Sequence, residues 1–265
     1  MKIKKGILGL FALVGAISLV GCNMGGGGTS KEPTPTPTSV EPVEPTTTST
    51  TETAPTFESF TLEKLHEARK AKTLGALDKK FVTVKGKVTF AKRVSEYASS
   101  MFIQNGKYGL EVYYPEPFNV NVGDSVEVKG RFGTYQAGDI VTIELYTDSS
   151  VSSYCDIKVI NEAINVETVT IRKMADLIEY DSSKAVIDFS VVGNRTNAAF
   201  IGKLLEGDDQ IIVAPKSNLG DRFEEAPYVA GDKVRYTGVF TFSGDSSARV
   251  MRYFGATTGF EKLAN

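Results

Sequence analysis

The chain has 265 residues, a formal net charge of −2 at neutral pH, two cysteines, one histidine and no tryptophan. That balance excludes the strongly basic profile that nonspecific duplex binding needs. Two cysteines exclude a scaffold built on disulfides.

Lys2, Lys4 and Lys5 precede an apolar stretch from Ile7 to Val20. It is shorter than the roughly 20 residues of a membrane-spanning helix, so it reads as an export signal. It ends in Leu19-Val20-Gly21-Cys22, which resembles the lipobox of bacterial lipoproteins. The resemblance implies a signal peptide over residues 1–21, cleavage before Cys22 and a diacylglycerol on the Cys22 thiol. The lipid would hold the chain to the cell membrane on its extracytoplasmic face. Two acyl chains anchor stably, each buried CH₂ contributing about 0.8 kcal/mol. With Cys22 committed to lipid, no intramolecular disulfide is available; Cys155, in Ser153–Ile157, reads as a small apolar residue of a strand.

Residues 22–56 cannot build a core. They hold Gly25 to Gly28, the alternation Pro33-Thr34-Pro35-Thr36-Pro37-Thr38 and a threonine run around Thr46 to Thr51, with one Lys and four Glu. Such a segment stays solvated and partly extended, a disordered linker lifting the rest of the chain away from the bilayer.

An internal repeat organises the remainder. Val122-Gly123-Asp124-Ser125-Val126 through Gly130 and Phe132 matches Ala230-Gly231-Asp232-Lys233-Val234 through Gly238 and Phe240, 108 residues apart. Thr61-Leu62-Glu63-Lys64-Leu65 matches Thr170-Ile171-Arg172-Lys173-Met174, 109 apart. Two domains follow, 57–160 and 161–265, the first carrying 14 basic and 13 acidic side chains and the second 12 and 15.

In each repeat the spacing predicts a helix and then five strands. Leu62, Leu65 and Ala68 fall on one helical face over Thr61–Lys72, with Thr61 as N-cap. Strands are predicted at Phe81–Val88, Ser100–Gln104, Tyr108–Tyr114, Ser125–Phe132 and Ile140–Leu145, with Asn105-Gly106 as a hairpin turn. The second repeat gives a helix at Thr170–Tyr180, then strands at Ala185–Val192, Ala199–Leu204, Gln210–Ala214, Lys233–Phe242 and Ala248–Phe254. The fold class is therefore mainly β. Five short antiparallel strands with glycine kinks suit a small closed barrel, which leaves no exposed edge.

The pattern Val84…Gly86-Lys87-Val88, Phe102-Ile103-Gln104-Asn105-Gly106, Gly109-Leu110-Glu111-Val112-Tyr113 and Val122-Gly123-Asp124…Val128…Gly130 resembles the OB-fold. It resembles most the OB domains attached to secreted bacterial nucleases and other surface proteins. The resemblance implies two tandem OB-like five-stranded β-barrels, each preceded by a short helix, and a ligand face on the second and third strands.

Nothing in the sequence assembles a catalytic centre. His66 lies between Leu65 and Glu67 on the leading helix and reads as a solvated residue; no Ser-His-Asp or Cys-His arrangement is apparent, and no His/Cys cluster would hold a metal. Asp208-Asp209 and Glu224-Glu225 lack calcium-loop spacing and read as a turn and a loop. The expectation is a binding module without enzyme activity or cofactor.

OB barrels stack bases or sugars on aromatics, within a rim of cations. Phe102, Tyr108 and Tyr113, with Lys85, Lys87, Lys129 and Arg131, are the candidates in the first repeat, and Tyr114, Tyr135, Lys92, Arg93 and Lys107 lie nearby. The second repeat is acidic and lacks matching tyrosines; Arg249, Arg252 and Tyr253 form a smaller patch. Single-stranded nucleic acid is the ligand this mixture suits. A structural module docking an envelope protein or cell-wall glycan, or an accessory subunit of a secreted nuclease, stays open beside it.

Overall fold

Alternating apolar residues place one face of every strand inside a barrel, and the repeat does this twice. The computed structural model describes residues 53–93, 99–114, 119–147, 154–196, 198–216, 223, 225, 228–244 and 249–264. The signal, Cys22 and nearly all of the linker lie outside the described residues, as do Glu224 and Ala248 and the side chains of Arg93 and Tyr114.

The first repeat runs β1 (Glu58–Ser59), α1 (Leu62–Lys70), a 3-10 turn (Leu74–Leu77), β2 (Phe81–Arg93), β3 (Ser99–Asn105), β4 (Tyr108–Tyr114), β5 (Ser125–Ala137), β6 (Ile140–Tyr146) and β7 (Asp156–Val159). The second runs β8 (Val169–Ile171), α2 (Met174–Glu179), β9 (Lys184–Thr196), β10 (Ala199–Leu204), β11 (Gln210–Pro215), β12 (Lys233–Gly244), β13 (Arg249–Tyr253), α3 (Ala256–Gly259) and β14 (Phe260–Lys262). Barrel one closes in the order β2-β3-β4-β6-β5 and back to β2, with β4 and β6 parallel. Barrel two repeats this as β9-β10-β11-β13-β12 and back to β9, with β11 and β13 parallel. Each is a five-stranded Greek-key barrel of the OB type.

The cores follow from the pleat. Val82, Val84 and Val88 point into barrel one with Met101, Ile103, Leu110, Val112, Val126, Val128 and Phe132, while Thr83, Lys85 and Lys87 point out. Ile187, Phe189, Phe200, Val213, Tyr236, Phe240, Met251 and Tyr253 fill barrel two. Each such side chain contributes about 1.5–3 kcal/mol on full burial, which gives both barrels substantial cores with no disulfide among the described residues.

The repeated turns are alike atom by atom. Gly123 and Gly231 adopt φ of 103° and 94°, a region that only glycine enters freely. Asp124 Oδ2 accepts the Asn121 N–H at 2.7 Å, and Asp232 Oδ2 accepts the Val229 N–H at 3.0 Å. A second pair opens each barrel: Asp78 Oδ1 accepts the Thr134 N–H at 3.0 Å and Asp181 Oδ1 accepts the Phe242 N–H at 2.8 Å.

Thr61 caps α1 as expected, its Oγ1 accepting the Lys64 N–H at 3.3 Å. The second helix differs from the expectation. Val169, Thr170 and Ile171 form β8 instead, pairing in parallel with Ala185–Ile187, and α2 begins only at Met174. Two β-branched residues flanking a threonine favour the pleated edge over a first helical turn. β2 also runs past Val88 to Arg93 through a register shift between Val88 and Phe90, which turns Phe90 and Lys92 outward.

Residues 51–265 form one compact unit that contains both barrels. The segment joining them is fixed to barrel one: the Gly106 N–H donates to Asn165 O at 2.9 Å, the Glu167 N–H donates to Gly106 O at 2.8 Å, and Ile164 is buried. Among the described residues, no helix is long and apolar enough to cross a membrane.

Candidate functional site: the groove between the barrels

The outer face of β3 and β4, where the resemblance places a ligand, is covered by barrel two. Phe102 is 0 % exposed and packs edge-on against Phe254 with centroids 4.8 Å apart, closed over by Phe90 and Val239. Gln104 is equally buried; its Oε1 accepts the Lys184 N–H at 2.8 Å and its Nε2 donates to Glu167 O at 2.6 Å. Ser183 Oγ donates to Lys107 O at 2.9 Å. A Cβ on Gly109 would lie 2.0 Å from Ser182 O, so the two backbones touch there only because position 109 has no side chain.

The helices join the same interface. His66 is buried between the rings of Tyr108 and Tyr180, 4.2 and 5.4 Å away, with Nδ1 3.2 Å from Glu179 O and Nε2 3.1 Å from Glu179 Oε1. It is a clamp between barrels, not the solvated helix residue expected. Arg69 donates to Gly109 O at 3.2 Å and lies 3.6 Å from Asp181, both side chains being almost fully enclosed. Burial disfavours both charges, lowering the guanidinium and raising the Asp181 carboxyl.

A groove of about 380 Å³ remains open along the seam, a volume within the range of ligand pockets, roughly 300–1,000 Å³. Phe90 and Lys92 line it from β2, Lys184 from the start of β9, and Thr237, Gly238 and Phe254 from the remainder of barrel two. Lys92, Lys184 and Thr237 are exposed and Phe90 half-buried, so the groove combines two ammonium groups, an aromatic ring and backbone amides. The residue pattern alone did not single out Phe90, Lys184 or Phe254. The register shift after Val88 sets the direction of Phe90, and no local sequence signal marks that shift.

A second cavity of about 230 Å³ in the same interface is charged differently. Glu111 and Glu144 line it from barrel one and Asp181 and Lys216 from barrel two. Lys216 Nζ contacts both Glu111 oxygens, at 2.9 and 2.7 Å.

The predicted ligand residues are scattered over five surroundings. Lys85 and Lys87 lie on the outer face of β2, upstream of Phe90, with Lys85 paired to Glu162 at 2.7 Å. Phe102 is the floor of the interface, Tyr108 stacks in the His66 clamp, and Tyr113 lies on β4 with its ring 5.4 Å from Tyr146. Lys129 and Arg131 belong to β5, away from the groove: Lys129 Nζ lies 5.9 Å from the Phe57 ring centre, and Arg131 Nε is buried with no hydrogen-bond acceptor among the described residues. The expected basic rim is thus interleaved with carboxylates, Lys85 facing Glu127 across β2–β5 and Lys129 facing Asp156. Cys155 is half-buried with Sγ 4.0 Å from Tyr146 O. Asp208 pairs with Lys203 at 2.6 Å. Among the described residues, no group of three or more His, Cys, Asp or Glu could hold a metal ion.

No protein-family model matches the chain, and no curated protein matches it. Among solved structures it is similar to an asparaginyl-tRNA synthetase from Entamoeba histolytica (TM-score 0.28, 17 % identity, over 42 % of this chain and 25 % of that one). The chain spans a quarter or less of the length of the synthetases it resembles. It is also similar to a murine DNA-binding protein bound with double-stranded DNA (TM-score 0.37, 12 % identity, 69 % of this chain and 97 % of that one). A third is the Ifi202 HINa domain in complex with a 20-bp duplex (TM-score 0.33, 10 % identity, 68 % and 94 %). The OB assignment rests on the strand order and pairing described above.

Proposed function

We propose that the chain is a lipid-anchored, non-enzymatic module on the extracytoplasmic face of the membrane, whose paired OB barrels bind single-stranded nucleic acid along the groove between them. The observation that carries this reading is the groove itself, with Lys92 and Lys184 beside Phe90 and the Gly238 backbone. Cations that track a phosphate backbone next to a ring that stacks on bases are the two parts of sequence-tolerant single-strand binding. The near-neutral charge of the whole chain fits a local track better than a broad duplex-binding surface. Anchoring rests on Leu19-Val20-Gly21-Cys22.

The test is a fluorescence anisotropy titration of the full chain in detergent with labelled single-stranded oligonucleotides at low salt. Binding that weakens with Lys184→Glu supports the groove; no binding at high micromolar concentration removes the reading. A second reading, docking of an envelope protein, is favoured by one feature. The outward row Ile201–Ile212 across β10–β11 of barrel two is aliphatic and only half-buried.

A further inference from the structure

We propose that the second interface cavity is a proton-operated joint, in which Glu144 takes up a proton to hold the barrels together and releases it to loosen them. The joint rests on the interface and not on the groove's ligand.

The parallel pairing of β4 and β6 puts Glu111 directly opposite Glu144. Side chains on one face of neighbouring strands stand about 5 Å apart. Among the described residues one ammonium serves this pair: Lys216, from the end of β11 in barrel two, is held by both oxygens of Glu111, whose side chain is 6 % exposed. That contact ties barrel one to barrel two. Glu144 receives the Tyr146 hydroxyl at 3.4 Å from its own strand.

The other described charges facing the cavity do not add a second cation to Glu144. Asp181, which precedes β9, adds a further carboxylate, and Arg69 of α1 lies 3.6 Å from it. Arg252 of β13 lines the cavity but donates to Pro215 O at 3.5 Å. Burial first and the Glu144 charge second raise the phenol of Tyr135 on β5.

An ionised Glu144 therefore sets a second negative charge beside Glu111 in a shielded space, where it competes for Lys216. A protonated Glu144 leaves the Glu111–Lys216 bridge undisturbed. Burial first and the Glu111 charge second push the Glu144 carboxyl up from 4.5 to about 7. Burial also raises Glu111, against the pull of Lys216. A carboxyl raised in the folded state binds its proton more tightly there than in the unfolded chain. Its stabilising contribution is full below the unfolded value, near 4.5, and is lost as the pH rises through about 7.

The experiment is differential scanning calorimetry of the full chain in detergent, without nucleic acid, at pH 5.5 and pH 8.5. The wild type is expected to unfold in one transition at the lower pH. At the higher pH it should unfold about 4–8 °C earlier, the shift expected in a chain of this size for the roughly 1.5 pH units between pH 5.5 and the raised value, and the transition should split as the barrels uncouple. Glu144→Gln should lose at least half of that shift and keep a single transition. An unchanged wild-type midpoint, or a Glu144→Gln shift as large as the wild type's, overturns the proposal. A carboxyl ¹³C NMR titration of the wild type decides the matter if the variant misfolds: a Glu144 midpoint near 7 supports the joint and one near 4.5 overturns it. Neither readout involves the groove, so failure of the nucleic-acid reading would leave both results standing.

Discussion

Gly109→Ala tests whether the two barrels share one fixed interface. The added Cβ would lie 2.0 Å from Ser182 O, 2.4 Å from Ser182 C and 2.7 Å from Ser183 N. All three are backbone atoms, so no side chain can rotate away. Restoring a contact of about 3.5 Å requires the backbones to part by more than about 1 Å. At that separation the Lys184 N–H to Gln104 bond, now 2.8 Å, and the Ser183 to Lys107 bond, now 2.9 Å, are both broken. Each contributes about 0.5–1.5 kcal/mol. The same gap removes roughly a quarter to a half of the dispersion contact between Phe102 and Phe254, and overpacking of this kind costs about 1–3 kcal/mol in general. The expected loss is roughly 2–5 kcal/mol, read as a fall in the urea midpoint followed by far-UV circular dichroism. Gly75→Ala is the control, because nothing lies within 4 Å of a Cβ at that position. A Gly109→Ala protein within about 0.5 kcal/mol of the wild type would refute the interface.

Asp181→Ala removes the partner of the enclosed Arg69 guanidinium and the acceptor of the Phe242 N–H; stranding a buried charge costs about 3–5 kcal/mol, measurable in the same urea titration. Asp78→Ala, at the matching but exposed turn of barrel one, should cost clearly less. Lys92→Glu with Lys184→Glu should weaken oligonucleotide binding and flatten the salt dependence of log K by about 1.4, as expected for two lost phosphate contacts on a single strand. An unaltered slope would place the ligand elsewhere. Cys22→Ala should abolish incorporation of a radioactive fatty acid, and a variant that still takes up label rules out lipid at that thiol.

Much of the fold is legible in the sequence because its determinants are local. Val82, Val84 and Val88 alternate with Thr83, Lys85 and Lys87, and the Gly-Asp turns announce the fourth strand of each barrel. The β8 segment is less legible: its strand state depends on pairing with Ala185–Ile187, which no window around Thr170 contains. The site is less legible still. The OB-like pattern places Phe102 on the ligand face of the second and third strands but cannot reveal that barrel two lies on that face. Polar residues such as His66, Gln104, Asp181, Ser182 and Ser183 are buried through contacts between barrels, and nothing near them in the chain distinguishes them from surface residues. Gly109 and the small pair Ser182-Ser183 were the available hints, and they acquire meaning only once they face each other.

The repeat raises the question of whether the same docking could continue from chain to chain. Each barrel carries the same two parts, a turn (Asp78–Phe81 or Asp181–Lys184) and an outer face on its second and third strands. Barrel two inserts its turn into the face of barrel one. Repeating that contact between chains would be head-to-tail, the geometry that propagates into open filaments when its rotation does not close. Strand register identifies the matching positions: Lys87, Gln104 and Gly109 form one row in barrel one, and Ser190, Lys203 and Gln210 form the same row in barrel two. Their partners Ser125 and Lys233 stand at the repeat distance of 108. Gln210 therefore occupies the place where Gly109 admits the Ser182 carbonyl, and its side chain fills the space an incoming turn needs. The free turn is unsuited as well. Ser182 and Ser183 are 1 % and 0 % exposed and carry no charge, whereas Lys79 and Lys80 in their place would each have to strip water from an ammonium group. One glycine-for-glutamine difference on the face and two serine-for-lysine differences in the turn therefore oppose a repeat of that contact between chains. The groove at the seam, with Lys92 and Lys184 at its margins, is a product of that docked pair.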